Sequence, residues 1–145
     1  MFFGLFEHAI DAKNRLIIPR KLREVIDETR EGSGFYLTKG FEECLVMYTP
    51  VQWEKTSERI RGGNPLGAAN ARHFHRLFFA YAEKVTCDKQ GRVVLPERLK
   101  EVAELKREVI ITGVDERIEI WDARKFRDYE QTHAPNFDKF VEGLL

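Results

Sequence analysis

The chain has 145 residues, of which 43% are hydrophobic and 33% charged, a composition that excludes a disordered polymer and fits about one compact domain or two small ones. Its 24 Lys and Arg balance 24 Asp and Glu, which excludes nucleic-acid binding through bulk positive charge and leaves only a local patch for that purpose. No apolar run approaches the ~18 residues of a membrane span. Met1 to His8 lacks the basic start of a signal peptide, and Cys44 and Cys87 read as reduced core thiols of a cytoplasmic protein.

Asp11-Ala12-Lys13-Asn14-Arg15 predicts a tight hairpin turn, because Asn14 tolerates positive φ. Leu16-Ile17-Ile18 is a short aliphatic run of the kind expected of a strand buried on both faces. Pro19 ends that strand and sets the first turn of a short amphipathic helix over Arg20 to Glu28. Gly32-Ser33-Gly34 marks a loop. The runs Phe35 to Thr38 and Leu45 to Tyr48 are strands, with a hairpin turn at Lys39-Gly40 between them. Thr49-Pro50 is an N-cap and first-turn pair opening a helix through Trp53 and Ile60. Gly62-Gly63 breaks it, and Asn64-Pro65 restarts a helix. Phe74, Leu77, Phe78 and Tyr81 then share one apolar stripe, read as core or subunit interface.

The pattern then begins again. Asp88-Lys89-Gln90-Gly91-Arg92-Val93-Val94-Leu95-Pro96 repeats the first motif at an offset of 77, with Gly91 in the place of Asn14. A short helix over Glu97 to Glu104, strands around Val109 to Thr112 and Ile118 to Trp121, and a turn at Gly113-Val114-Asp115 complete the second copy. Asp122 can cap a helix to about Gln131, and the remaining residues are one more helical turn or a frayed tail. The expected units are residues 1–53 and 85–128 as the two repeats, 54–84 as linking helices and 129–145 as a tail. Two copies this small must share one core.

Charge concentrates at the two motifs. Residues 11–23 carry Lys13, Arg15, Arg20, Lys21 and Arg23 against Asp11 alone. Residues 88–100 carry Lys89, Arg92, Arg98 and Lys100 against Asp88 and Glu97. Asp11 with Arg15, and Asp88 with Arg92, read as ion pairs that fix a turn, a role compatible with an acid orienting the arginine that reads DNA. A β-hairpin tip can enter the major groove, where Arg pairs with guanine and Asn or Gln with adenine. Arg15 and Arg92 are candidates for base or phosphate contacts, and Lys13 and Lys89 for phosphates.

Other chemistries are poorly served. Asp11 and Asp88 could form a protease-like dyad, but an arginine four residues after each keeps both ionised, so no enzyme is expected. His73 and His75, with His8 and His133, lack a supporting Cys or carboxylate at ligand spacing and are assigned to a surface or interface, with no metal and no cofactor. A protein-interaction module that never touches DNA is the alternative class.

The chain resembles the MraZ family of bacterial transcriptional regulators, which are tandem relatives of the AbrB-type swapped-hairpin domain. The resemblance rests on Met1-Phe2-Phe3-Gly4, Asp11-x-Lys13-x-Arg15, Pro50-x-x-Trp53, Asp88-x-x-Gly91-Arg92 and Glu119-Ile120-Trp121-Asp122. It implies a β-rich α+β fold, with two pseudo-symmetric AbrB-like halves forming one barrel-like domain with peripheral helices. It also implies a ring-shaped homo-oligomer, with an octamer as one form, that binds promoter repeats in double-stranded DNA. The implied action is repression of the protein's own division and cell-wall operon, in the cytoplasm at the nucleoid, with no membrane or small-molecule substrate. The DNA contacts it implies fall on Lys13, Asn14 and Arg15 and on Gln90, Gly91 and Arg92. Asn14 stands where the family has Gly and Gln90 where it has Lys, so the two copies need not act equally.

Overall fold

The computed structural model describes residues 1–63 and 68–145, so the predicted helix restart at Asn64-Pro65 lies outside the described residues. In chain order the elements are β1 (Phe2–Ala9), β2 (Arg15–Ile17), α1 (Arg20–Arg23), α2 (Glu28–Glu31), β3 (Phe35–Lys39) and β4 (Leu45–Tyr48). They continue with α3 (Pro50–Gly62), α4 (Ala69–Ala80), β5 (Glu83–Val85), β6 (Arg92–Val94), α5 (Glu97–Val102), β7 (Glu108–Asp115), β8 (Arg117–Asp122), α6 (Ala123–His133) and α7 (Phe137–Val141).

Two sheets organise these elements. A six-stranded antiparallel sheet has the order β1-β7-β8-β4-β3-β5, and β2 pairs with β6 in a separate ribbon. The halves exchange strands: β1 pairs with β7 from Phe2–Asp115 to Ala9–Glu108, while β5 pairs with β3. The fold is therefore α+β and β-rich, but the sheet is open rather than barrel-like, with β1 and β5 as its two unpaired edges. The ribbon, α1 and α5 cover one face instead. Leu16, Ile18, Leu22, Val93, Leu95 and Leu99 pack there on Leu37, Leu45, Met47, Ile111, Ile118 and Ile120. On the opposite face α3 and α4 cover Val46 and Tyr48, and α6 covers Ile110 and Trp121. Central β4 is buried along its whole length because both its faces are covered.

Several local expectations are corrected. Asp11 to Asn14 is a tight turn, with the Asn14 amide donating to Asp11 O, but it does not join a hairpin, because the strand after it pairs 77 residues away. The ribbon is buried on one face only: Leu16 and Val93 are inaccessible, while Ile17 is 43% and Val94 59% exposed. A two-stranded ribbon resting on a sheet has a second face with nothing over it. The helix expected over Arg20 to Glu28 is two separate turns, because extended Asp27 interrupts it and caps α2 by accepting from the Thr29 N–H. Gly113 lies within β7, and the turn falls at Asp115 to Arg117, where Asp115 takes φ +59°. Gly113 is needed for close approach, since a Cβ there would stand 2.6 Å from Phe2 C. Asp122 occupies the α6 cap position, yet its carboxylate accepts from the Lys106 N–H instead.

The Thr49–Pro50 helix start is as expected. Thr49 caps α3 by accepting from the Gln52 N–H, with Pro50 at the first position. Trp121 is buried, and Trp53 stacks between Tyr36 and Phe78. The apolar stripe of α4 is split: Phe78 is buried, Tyr81 joins the main core, and Phe74 and Leu77 face outward. Both cysteines are free thiols, and burial pushes Cys44 up to about 12.

Candidate nucleic-acid interface

The two motif turns have the same backbone. In the first, Asp11 N–H donates to Arg15 O and Asn14 N–H to Asp11 O; in the second, Asp88 N–H donates to Arg92 O and Gly91 N–H to Asp88 O. Positive φ falls where the sequence places it, at +60° in Asn14 and +80° in Gly91. Across the ribbon, Ile18 N–H donates to Gly91 O and Leu95 N–H to Asn14 O, so each strand end is tied to the other copy's turn. A pseudo-twofold through the Leu16–Val93 pair relates the two.

The acids shape both turns and aim both arginines. One Asp11 oxygen accepts from the Lys13 and Arg15 N–H groups, each at 2.9 Å, and the other from Arg15 Nε at 2.6 Å. Asp88 repeats this, accepting from the Gln90 and Arg92 N–H groups at 2.9 Å and from Arg92 Nε at 2.8 Å. The backbone N–H of Arg15, then its side chain, holds the Asp11 carboxyl below the ordinary 3.8, and Arg92 does the same for Asp88. Using Nε for the acid leaves the outer nitrogens of Arg15 without a partner among the described residues, while one of those of Arg92 is taken by Gln90. The two readings of these pairs are thus compatible in one geometry: the Asp fixes the loop and orients the Arg.

Register places Arg15 opposite Val94 and Ile17 opposite Arg92. Residues two apart on a strand share a face, so Arg15, Ile17, Arg92 and Val94 form the outward side of the ribbon. The two arginines lie on one diagonal, about 7–8 Å apart at their Cα atoms. Lys13 and Lys89 are exposed at the two turns, and their ammonium groups have no partner among the described residues.

Not every predicted residue faces outward. The half-buried Asn14 amide is engaged by its neighbours, donating to Glu97 Oε2 at 2.8 Å and accepting from Lys100 Nζ at 2.5 Å. Gln90 turns toward its own arginine and accepts from Arg92 Nη2 at 2.7 Å. Gly91 is covered by Arg23, whose Nε donates to Ile18 O and would stand 2.5 Å from a Cβ at residue 91. Sequence reasoning missed Glu97, Lys100 and Arg23 as the residues that lock the turns. It also missed the open groove beside the first turn, lined by Asp11, Asn14, Lys100, Lys106 and Arg107. The offset of 77 contained part of the signal, since it maps Arg23 onto Lys100.

Among the described residues no helix is long and apolar enough to cross a membrane, and no three His, Cys, Asp or Glu gather as a metal site. What remains is a tandem-repeat α+β protein whose copies jointly build one cationic, outward-facing ribbon. Comparison with known proteins is specific. The family described as "MraZ protein, putative antitoxin-like" matches twice, over residues 1–77 and 78–145. A transcriptional regulator MraZ of Lactiplantibacillus plantarum is 41% identical over all of this chain and 99% of its own length. One from Clostridium acetobutylicum is 44% identical over 91% of this chain and 89% of its own, and one from Acetivibrio thermocellus 42% over 99% and 96%. The chain belongs to the MraZ family, whose members named here are transcriptional regulators.

Proposed function

We propose that the protein is a sequence-specific DNA-binding regulator that represses its own division and cell-wall operon by binding promoter repeats as a homo-oligomeric ring. The observation that carries this reading is the outward ribbon face, where Asp11 and Asp88 hold Arg15 and Arg92 in one orientation about a pseudo-twofold. The major groove admits a two-stranded ribbon, and pre-oriented guanidiniums suit guanine or phosphate there. Lys13 and Lys89 supply phosphate contacts at the two turns. Gln90 acts beside Arg92, while Asn14 and Gly91 contribute through turn shape. The protein works in the cytoplasm at the nucleoid, without cofactor or catalysis.

Oligomerisation follows from affinity. One ribbon offers only a few phosphate contacts, which at physiological salt give weak binding. Several ribbons on one scaffold, meeting several repeats on one duplex, gain through effective concentration.

The test is fluorescence anisotropy on a duplex carrying the protein's own upstream promoter repeats, against a scrambled duplex, across a salt series. Preference for the repeats that weakens steeply with salt is expected, and the slope counts the phosphate contacts. Absence of preference at every salt, with the oligomer intact by light scattering, would overturn the reading in favour of a protein-interaction module.

A further inference from the structure

The ribbon presents more than charge. On its inner side Leu16, Ile18, Val93 and Leu95 are buried in the shared core, which accounts for their aliphatic character. Its outer side has no such requirement, yet Ile17 and Val94, equivalent under the 77-residue offset, are both β-branched aliphatics exposed to solvent. Each sits directly across from an arginine, Ile17 from Arg92 and Val94 from Arg15. The outward face is thus a two-by-two checkerboard, with guanidiniums on one diagonal and branched aliphatics on the other.

That pattern discriminates among surfaces. A dry apolar protein face would have to strip water from both guanidiniums without offering acceptors, which is costly. A purely anionic surface would leave both aliphatics unserved. The major-groove edge of duplex DNA offers both within one base step of each other: acceptors on guanine and phosphate, and the C5-methyl group of thymine.

Resting on the DNA-binding reading above, we propose that Ile17 and Val94 are specificity-determining residues that read thymine C5-methyl groups beside the bases met by Arg15 and Arg92. The pseudo-twofold places one aliphatic on each side of the ribbon, so the contacted thymines lie on both sides of the ribbon's centre, one beside each arginine's base. Preference for T over C at these positions comes from the methyl group and not from hydrogen bonding.

The test uses the full-length protein and the same promoter-repeat duplex, with thymines replaced singly and together by deoxyuridine, which removes the methyl and keeps every hydrogen-bonding group. Wild-type binding is expected to weaken about fourfold per contacted methyl, the scale of one buried methyl-sized group. Ile17→Ser and Val94→Ser should each lose the thymine–uracil difference at their own position, a coupling that a double-mutant cycle isolates. Urea unfolding and light scattering on each variant establish that fold and assembly are kept. If wild type prefers its repeats yet ignores every uracil, the methyl reading is wrong and the DNA-binding reading stands. If the variants still distinguish thymine from uracil, another residue senses the methyl and the proposal is overturned. If either variant instead breaks the oligomer, the pair belongs to a subunit interface and the proposal is equally overturned. No preference for the repeats at all would remove the parent reading itself.

Discussion

The turn at residues 11–15 and the turn at 88–92 share a backbone and differ in how they are held. Asn14 pays its left-handed φ with a side chain that is then engaged by Lys100 and Glu97. Gly91 has no side chain, and Arg23 fills the space above it while donating to Ile18 O. The same division runs through the arginines. Arg15 has no acceptor at its Nη atoms among the described residues, and its neighbour Lys13 stands free, whereas Arg92 is tethered by Gln90. Duplication preserved the turn that aims the arginine and let the surrounding lock diverge. The first copy thereby leaves its arginine the freer of the two to meet a ligand, so it should dominate binding.

Removing each arginine tests that inequality most directly. Arg15→Ala should abolish specific binding, a loss of about 30- to 100-fold, while Arg92→Ala should cost about 3- to 10-fold, within the span of single base or phosphate contacts. Anisotropy on the promoter repeats reads both, and light scattering should find both variants in the same assembly state as wild type. Equal losses would show that the copies act alike despite Gln90, and loss of assembly in Arg15→Ala would make that residue structural.

The locks should separate in stability. Gly91→Ala forces a Cβ against Arg23 at a φ of +80°, and destabilisation by about 1–3 kcal/mol is expected. Asn14→Gly keeps the backbone and loses only part-exposed side-chain bonds, so about 0.5–1 kcal/mol is expected. Urea unfolding midpoints decide, and a milder Gly91→Ala than Asn14→Gly would mean that Arg23 moves aside freely.

Much of this asymmetry was legible before the structure. The repeat, the positive-φ positions, the aspartate–arginine pairs and the unequal charge all follow from residues a few positions apart. What escaped was long-range. The apolar pattern of β1 is interrupted by Gly4 and β5 contains only Glu83, Lys84 and Val85, so neither has the alternation of a strand, and both are stabilised as sheet edges by the other half. Without them the residue pattern alone does not give the exchange of strands, which only the family resemblance implied, and the run after each turn looks like a strand buried on both faces. Asn14 and Lys100 are 86 residues apart, and no local pattern brings them together.

Gln90→Lys would make the second turn resemble the first. It removes the tether on Arg92 Nη2 and adds a cation beside it. Binding to the repeats should tighten a few-fold, and the salt slope should steepen by about one for each copy of the chain that meets DNA with this turn. An unchanged slope would show that the second turn does not approach a phosphate.

Acidity offers the finest comparison, because both turns depend on an ionised carboxylate. Asp11 and Asp88 are each held below 3.8, chiefly by the backbone N–H of the following arginine, so the native turn prefers the ionised acid more than the unfolded chain does. Their stabilisation is complete above the unfolded value and is lost as pH falls through the lower native one. Both groups are exposed, so the effect is small and confined to pH below about 4. Urea midpoints followed down through that range should fall less steeply in Asp11→Asn and in Asp88→Asn than in wild type. The two variants should also match each other, because the acid's own bonds, like the backbone of the turns, are alike in the two copies. A clear difference between them would mean that Lys100 beside the first turn, or Arg23 beside the second, reaches the carboxylate as well as the loop.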